Sequence, residues 1–327
     1  MKLFTYETER GARVGFVFDD LVYGADLADV ENLHTGRASE TLSSMQAIID
    51  GGDEALERVQ GHVQFATNNT SKIDRLKLDG LSFLSPLPQP VKLICFSVYE
   101  QHIRQSIDAM IKAKLGRFGL LLNKIIKFMK VPPSFYINPV YYKGNTTSFI
   151  GHGQAVQWPS FAEDKMDYEL ELGIIIGKKG IDVPVEKAND YIWGYTIYND
   201  VSARGRLIQE LFKGKVGPLK SKDFHTGNVL GPWIVTADEI GNPQNLEMKV
   251  YVNDELRGRS NTAQMYYSLS ELISAASEGE YIIPGEVIGT GAASNGAGIE
   301  QWTFLKPDDV IKLEIEGIGS LENKLIS

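Results

Sequence analysis

From residue 167 onward the sequence reads in period two and in β-branched runs, and this restricts the fold more than any other feature. The runs are ELELGIIIG (169–177), IWGYTIYND (192–200), GPWIVT (231–236), LEMKVYVN (246–253), YIIPGEVIGTG (281–291) and DVIKLEIEG (309–317). One amphipathic helix, around Met265–Ser277, interrupts them, with Asn261-Thr262 as its expected N-cap. Asn253-Asp254 reads as a hairpin turn. Strands with so few crossover helices predict a mainly antiparallel or mixed β architecture, not a doubly wound sheet.

The first 85 residues read differently, as a small α/β unit. Arg13–Phe18 and Leu21–Leu27 are short strand-like runs around a turn at Asp19-Asp20. Leu42, Met45, Ile48 and Ile49 follow at helical spacing until Gly51-Gly52 breaks it. The segment SPLPQP (85–90) has three prolines in six residues, which no helix or central strand accommodates. It places a domain boundary between 1–85 and 86–327. Beyond it, Val91–Val98 reads as a buried strand. Tyr99–Lys130 reads as helix, with Ile103, Ile107, Met110, Ile111, Leu115, Phe118, Leu122, Ile125 and Met129 forming an apolar face. Gly116 and Gly119 are points where this helix can divide, and Val131-Pro132-Pro133 ends it.

Charge and cysteine usage exclude whole classes of function. Thirty-three Lys and Arg against 42 Asp and Glu give a net charge of −9. A nucleic-acid binder needs a basic face to displace counterions, so none is expected. The single cysteine, Cys95, excludes a disulfide scaffold and multi-cysteine metal sites and suits a reducing cytosol. The N-terminus has no apolar signal core, and no stretch approaches ~18 consecutive apolar residues. A cytoplasmic protein with no membrane span is expected.

The acidic residues carry the chemistry worth arguing. On a strand, Asp167, Glu169 and Glu171 share one face, and Glu169 and Glu171 lie about 6.6 Å apart along it. Such a pair can hold a hard cation; the plain alternative is a solvent-facing edge. The strand runs straight into Ile174-Ile175-Ile176, which argues for a central position where carboxylates need a cation or partner. Asp200 closes the apolar run IWGYTIYND, as a third ligand or as an ordinary turn residue. Three carboxylates without His or Cys suit Mg²⁺, Mn²⁺ or Ca²⁺.

With these residues in view, the sequence resembles the fumarylacetoacetate hydrolase family. The resemblance is carried by DYELELGIIIGKKG (167–180), IWGYTIYNDVSAR (192–204), SKDFHTGNVLGPWIVTADEI (221–240), the segment 251–291 and DDVIKLEIEGIGSLENKL (308–325). It implies an α+β, β-rich fold: a mixed β-sandwich roll behind a small N-terminal α/β domain. It implies a divalent metal, Mg²⁺ or Mn²⁺, on Glu169, Glu171 and Asp200. His102, in Val98-Tyr99-Glu100-Gln101-His102, matches the family's catalytic histidine, and Lys222 its lysine. Arg204, Thr290 and Tyr99 are the implied substrate contacts. A homodimer and a small anionic 2-oxo or 1,3-dicarbonyl substrate, cleaved at a C–C bond, complete the implied picture. Decarboxylation, isomerisation or hydration on the same site, or a catalytically weak metabolite-binding protein, are the alternatives.

Each implied role has a plainer reading. His102 is a general base on water or a residue at a helix start. Lys222 stabilises developing negative charge or is a solvated member of the basic run 213–222. Arg204 forks a substrate carboxylate or pairs within the protein. The loop 289–296 closes on substrate or merely turns; it lacks the spacing of a nucleotide-binding loop. The sequence departs from the family pattern at Gln105, where a Glu would partner the histidine, at Gly205 and Leu207, and at Ala292. Residues 104–130 hold Arg104, Lys112, Lys114, Arg117, Lys124, Lys127 and Lys130 against Asp108 and the nearby Glu100. That basic stretch reads as a lid for anionic substrates, a membrane-surface helix, or most simply a helix with an apolar core face and solvated lysines.

Overall fold

The computed structural model describes residues 1–18, 21–162 and 164–327; the Asp19-Asp20 turn lies outside them. The chain begins with strands β1 (Lys2–Thr8), β2 (Gly11–Phe18) and β3 (Tyr23–Asp26), then helices α1 (Leu27–Thr35), α2 (Met45–Asp50) and α3 (Gly52–Asn68) and the short β4 (Leu76–Lys77). After the proline segment come β5 (Lys92–Ser97), α4 (Glu100–Ile126), β6 (Val140–Lys143), β7 (Phe149–Ile150), β8 (Val156–Gln157), β9 (Met166–Asp167) and β10 (Leu170–Ile176). Next are β11 (Ile192–Asp200), β12 (Ser202–Ala203), α5 (Arg204–Ile208), β13 (Asn228–Thr236), β14 (Glu247–Val252) and β15 (Glu255–Asn261). The chain closes with α6 (Leu269–Ser277), β16 (Glu286–Gly289), β17 (Val310–Ile315) and β18 (Gly319–Ile326).

Among the described residues, eleven strands share one open sheet, in the order β4-β3-β2-β1-β13-β11-β10-β16-β5-β6 with β7 beside β13. A second sheet has the order β15-β14-β17-β18-β8. Most pairings are antiparallel, while β16 with β5, β13 with β7 and β18 with β8 are parallel. This is the mixed, β-rich α+β architecture that the period-two runs predict. The large sheet continues across the proline segment, because β1 pairs with β13. Asn253 and Asp254 both have positive φ, the turn geometry that suits a tight hairpin between β14 and β15.

Strand β10 occupies the centre, hydrogen-bonded to β11 on one side and β16 on the other, and every residue in it is buried. Its alternation sorts side chains between two cores. Leu170, Leu172, Ile174 and Ile176 join a core shared with the second sheet, through Met248, Val250 and Leu313. Ile175 joins the core beneath the N-terminal helices, with Ile48, Ile49 and Val59. Glu169 and Glu171 have the parity of Ile175, so burial on both sheet faces holds them inside the protein.

Two sequence expectations fail here for identifiable reasons. Helix α6 starts at Ser268, whose hydroxyl and Glu271 form a reciprocal capping box. Asn261 instead caps the single 3₁₀ turn Thr262–Gln264. In α4, Gly116 takes φ +66° and breaks the helix axis, as the glycine suggested. The apolar face predicted to be core is buried only before that break, at Met110 and Ile111. Leu115, Phe118, Leu122 and Ile125 are exposed.

Glu286, at the start of β16, is fully buried, with Lys92 Nζ 3.5 Å away. Burial raises its carboxyl from 4.5 to about 7, against a weaker downward pull from Lys92. A carboxyl raised in the folded state loses stability as pH climbs from its unfolded value through its folded one. The shift corresponds to about 3 kcal/mol over that window. Glu286→Gln should therefore lose less stability than wild type between about pH 5 and pH 8, as measured by denaturant unfolding. Equal losses in the two proteins would contradict the burial argument.

Candidate metal centre

The end of β10, the end of β11 and the loop after β16 converge on one buried cluster. Glu169, Glu171 and Asp200 each offer an oxygen, and these oxygens lie within 4.8 Å of one another. Each carboxylate is held by groups the strands supply. The Glu169 backbone N–H donates to Asn199 Oδ1 at 3.0 Å, which ties the start of β10 to the end of β11. Gly291 N–H donates to Glu171 Oε2 at 2.9 Å. A Cβ on Gly289 would sit 2.5 Å from that same oxygen, so only glycine leaves the carboxylate room. Tyr142 donates its hydroxyl to Asp200 Oδ2 at 2.7 Å.

Two cations lie in the cluster. Lys222 Nζ donates to Glu169 Oε2 at 2.6 Å and to the Asp200 carbonyl at 3.0 Å, and stands 2.8 Å from Asp200 Oδ2. All three ammonium donors are thereby placed. Arg204 donates through Nε to Asp167 Oδ2 at 2.7 Å and through Nη2 to Glu169 Oε1 at 2.5 Å. Asp167 in turn accepts from the backbone N–H groups of Gly298 and Ile299 at 2.8 and 3.0 Å. Arg204 thus pairs within the protein through Nε and Nη2, the plainer of its two sequence readings. Lys222 is buried, which sets it apart from its exposed neighbours Lys213, Lys215 and Lys220.

The electrostatics divide the carboxylates. Burial alone would raise Glu169, but Arg204 and Lys222 outweigh it and bring the carboxyl down to about 2, with His102 adding to the effect. Glu171 is ion-paired to neither cation among the described residues, and the pull of Lys222 on it is outweighed. Burial and the charges of Asp200 and Glu169 push it well above the ordinary carboxyl range. Four buried carboxylates, counting Asp167, face two cations. The shortfall equals the charge of one divalent ion. Asp200 Oδ1 is buried with no hydrogen-bond partner among the described residues. An all-oxygen donor set, a charge deficit of two and an unpartnered oxygen together fit a hard divalent cation.

The remaining predicted residues fall at different distances from this centre. His102 opens α4 and places Nδ1 3.3 Å from Glu300 Oε1. Glu300 is itself fixed by the backbone N–H groups of Asn295 and Ala297, at 2.8 and 3.0 Å. Gln105, which stands where the family's Glu would partner His102, donates to Asn295 Oδ1 at 3.0 Å. Thr290 is fully buried between the two glycines that touch Glu171, and its hydroxyl has no partner among the described residues. Tyr99 is not turned to the centre as a substrate contact would be: its hydroxyl lies 3.8 Å from Met248 Sδ in the apolar core. Glu300 was missed by sequence reasoning. It lies 198 positions from His102, and only its place after a glycine-rich loop was visible.

The profile of the fumarylacetoacetate (FAA) hydrolase C-terminal domain matches residues 101–326. The chain belongs to the fumarylacetoacetate hydrolase family. An uncharacterised protein of Staphylococcus aureus is 40% identical over 249 residues, covering 76% of this chain and 73% of the relative. The fumarylacetoacetate hydrolase of the psychrophile Exiguobacterium antarcticum aligns over 100% of this chain and 99% of its own, with TM-score 0.73 and 26% identity. The maleylpyruvate hydrolase of Sphingobium sp. SYK-6, solved with manganese (II) and pyruvate, shares the fold at TM-score 0.72 and 24% identity, over 100% of this chain and 99% of its own. The family therefore supplies solved hydrolases, and this member carries a buried acidic triad.

Mn²⁺ or Mg²⁺ should raise the thermal midpoint of the wild-type protein, by an amount equivalent to about 2.7 kcal/mol at 100 times Kd. Glu171→Gln, close in shape to the protonated carboxyl, should fold and lose that response. A full Mn²⁺ shift in the variant would remove Glu171 from the ligand set.

Proposed function

We propose that the protein is a divalent-metal-dependent hydrolase that cleaves a C–C bond in a small anionic 1,3-dicarbonyl or 2-oxo acid. Residues 86–327 carry the catalytic machinery, and 1–85 form the small N-terminal domain. Mg²⁺ or Mn²⁺ is the proposed ion, with Ca²⁺ as a possible substitute for the same oxygen ligands. The cytosol and a homodimer belong to the same reading. The observation that carries it is the pairing of a carboxylate cluster two charges in excess with a histidine–glutamate couple beside it.

When bound by Glu169, Glu171 and Asp200, a divalent ion supplies Lewis-acid polarisation of a carbonyl and charge to offset an enolate. The rest follows from the chain's own groups. Glu300, anchored by two backbone N–H groups, faces His102 Nδ1. The approach is an ion-pair distance and not a hydrogen bond among the described residues; a carboxylate so placed favours a proton on Nδ1, which leaves Nε2 as the base. His102 takes a proton from water, and the hydroxide attacks the substrate carbonyl. The C–C bond breaks, the acyl carbon keeps the new oxygen, and the electron pair stays on the leaving carbon as an enolate. The proton held by His102 returns to that carbon, so water is consumed and nothing else. Arg204 and Asp167 are positioning residues that brace Glu169. Lys222 keeps positive charge beside Asp200: burial opposes its ammonium, and Asp200 and Glu169 outweigh burial. Thr290 offers an unpartnered hydroxyl for a substrate oxygen.

Glu300 also bears on the choice of reaction. A decarboxylation takes no proton from water and does not need a carboxylate behind the histidine. On an acylpyruvate with Mn²⁺, His102→Ala should lower kcat by about 10²–10⁴. Glu300→Gln should lower it less and change its pH profile. The His102→Ala loss should be much smaller on oxaloacetate decarboxylation. Wild-type acylpyruvate turnover in His102→Ala would end the hydrolytic reading, and equal losses on both substrates would contradict the distinction between the two routes.

A further inference from the structure

The second half of α4 has no role in the chemistry above. After Asp108 the sequence has no acidic residue until Glu163, and Lys112, Lys114, Arg117, Lys124, Lys127, Lys130 and Lys143 fall within that stretch. This occurs in a chain of net charge −9. Beyond the break at Gly116, Phe118, Leu121, Leu122, Ile125 and Ile126 are all exposed, Phe118 by 76% and Ile125 by 70%. At 100° per residue they cover an arc of about 140° on one helix face. Arg117 and Lys124 flank the arc on one side, and buried Gly119 and Asn123 fix the other side to the protein.

The segment is built rather than frayed. Asn123 donates to the Met129 carbonyl at 3.0 Å and accepts from its N–H at 2.8 Å, which clamps the turn that follows. Lys127 ends the helix in the left-handed conformation. Phe128, on that turn, is also exposed. Beside it lies a groove of 640 Å³ lined by Arg104, Asp108, Lys124, Lys127, Lys130 and Tyr136. Four cations there face Asp108, and Glu100 pairs with Arg104.

We propose that this half of α4 docks the protein on a bilayer surface that carries anionic lipid. Phe118, Leu121, Leu122, Ile125 and Ile126 enter the headgroup–acyl boundary, and the basic side chains around them meet the lipid phosphates. The composition selects lipid over a second protein surface. Protein interfaces are depleted in Lys and enriched in Tyr, Trp and Arg, whereas residues 109–130 hold five lysines against one arginine, and the anchors are Phe118 and four aliphatic side chains. Lysines rimming an apolar helix face are the pattern of helices that lie in the plane of a membrane. The single sign of the charge over 54 residues matches a surface of single opposite sign. Among the described residues no helix is long and apolar enough to cross a membrane.

Cosedimentation of the full chain with vesicles tests this. Mixed phosphatidylcholine–phosphatidylglycerol vesicles should bind the protein, phosphatidylcholine vesicles should not, and added salt should weaken the binding. Lys124→Glu/Lys127→Glu should reduce the partition coefficient by more than about fivefold per residue. Phe118→Ser/Ile125→Ser should reduce it as strongly, with an unchanged circular dichroism spectrum, because both side chains are exposed. Absence of binding to the anionic vesicles, or binding that survives both double substitutions, overturns the proposal. So does a dimer in light scattering that Phe118→Ser/Ile125→Ser dissociates while vesicle binding is unchanged, because the face would then belong to a second copy.

Discussion

The structure depends on an imbalance of buried charge. Asp167, Glu169, Glu171 and Asp200 are each under one-tenth exposed, and among the described residues Arg204 and Lys222 are the cations ion-paired to the cluster. Charge removed from water without compensation costs several kcal/mol per ion. Burial and the charges of Asp200 and Glu169 push the Glu171 carboxyl well above the ordinary range, because neither cation is ion-paired to it. A divalent ion would relieve the imbalance. The same imbalance thus accounts for the raised Glu171, the depressed Glu169 and the three-way anchoring of Lys222.

The fold exists around this centre in a specific sense. Glu169 and Glu171 are buried because β10 is flanked by β11 and β16 and covered by a core on each face. Asp200 arrives because β11 pairs antiparallel with β10, so that the end of one strand meets the start of the other. The loop after β16 supplies Gly291 N–H to Glu171 and, further on, Glu300 to His102. The second sheet packs behind, and its Met248, Val250 and Leu313 contribute an apolar wall on that side.

The sequence revealed whatever followed from local periodicity. Period two placed Glu169 and Glu171 on one face, the isoleucine run marked a central strand, and the apolar run ending at Asp200 marked the third carboxylate. Family resemblance then singled out Lys222 and His102 from many ordinary lysines and a helix start. Long-range pairing was not legible. Arg204 was open to pairing within the protein, but nothing showed which carboxylates it would meet, Asp167 and Glu169, and Gln105 suggested a lost acid partner where Glu300 approaches from elsewhere. Strands β1, β15 and β18 were not marked: mixed polar sequences such as Glu255–Asn261 become strands because a neighbour is already in place. Helical spacing likewise cannot say whether an apolar face meets a core. In α4 it does at Ile111 and does not at Ile125.

The central claim is that Glu169, Glu171 and Asp200 form one divalent-ion site whose charge the fold was left short of. Anomalous diffraction from crystals grown with Mn²⁺ tests this directly. One strong peak is predicted within bonding distance of a carboxylate oxygen from each of the three residues, about 2.0–2.3 Å away. A manganese peak elsewhere, or none at this cluster with Lys222 still bridging Glu169 and Asp200, would contradict the account.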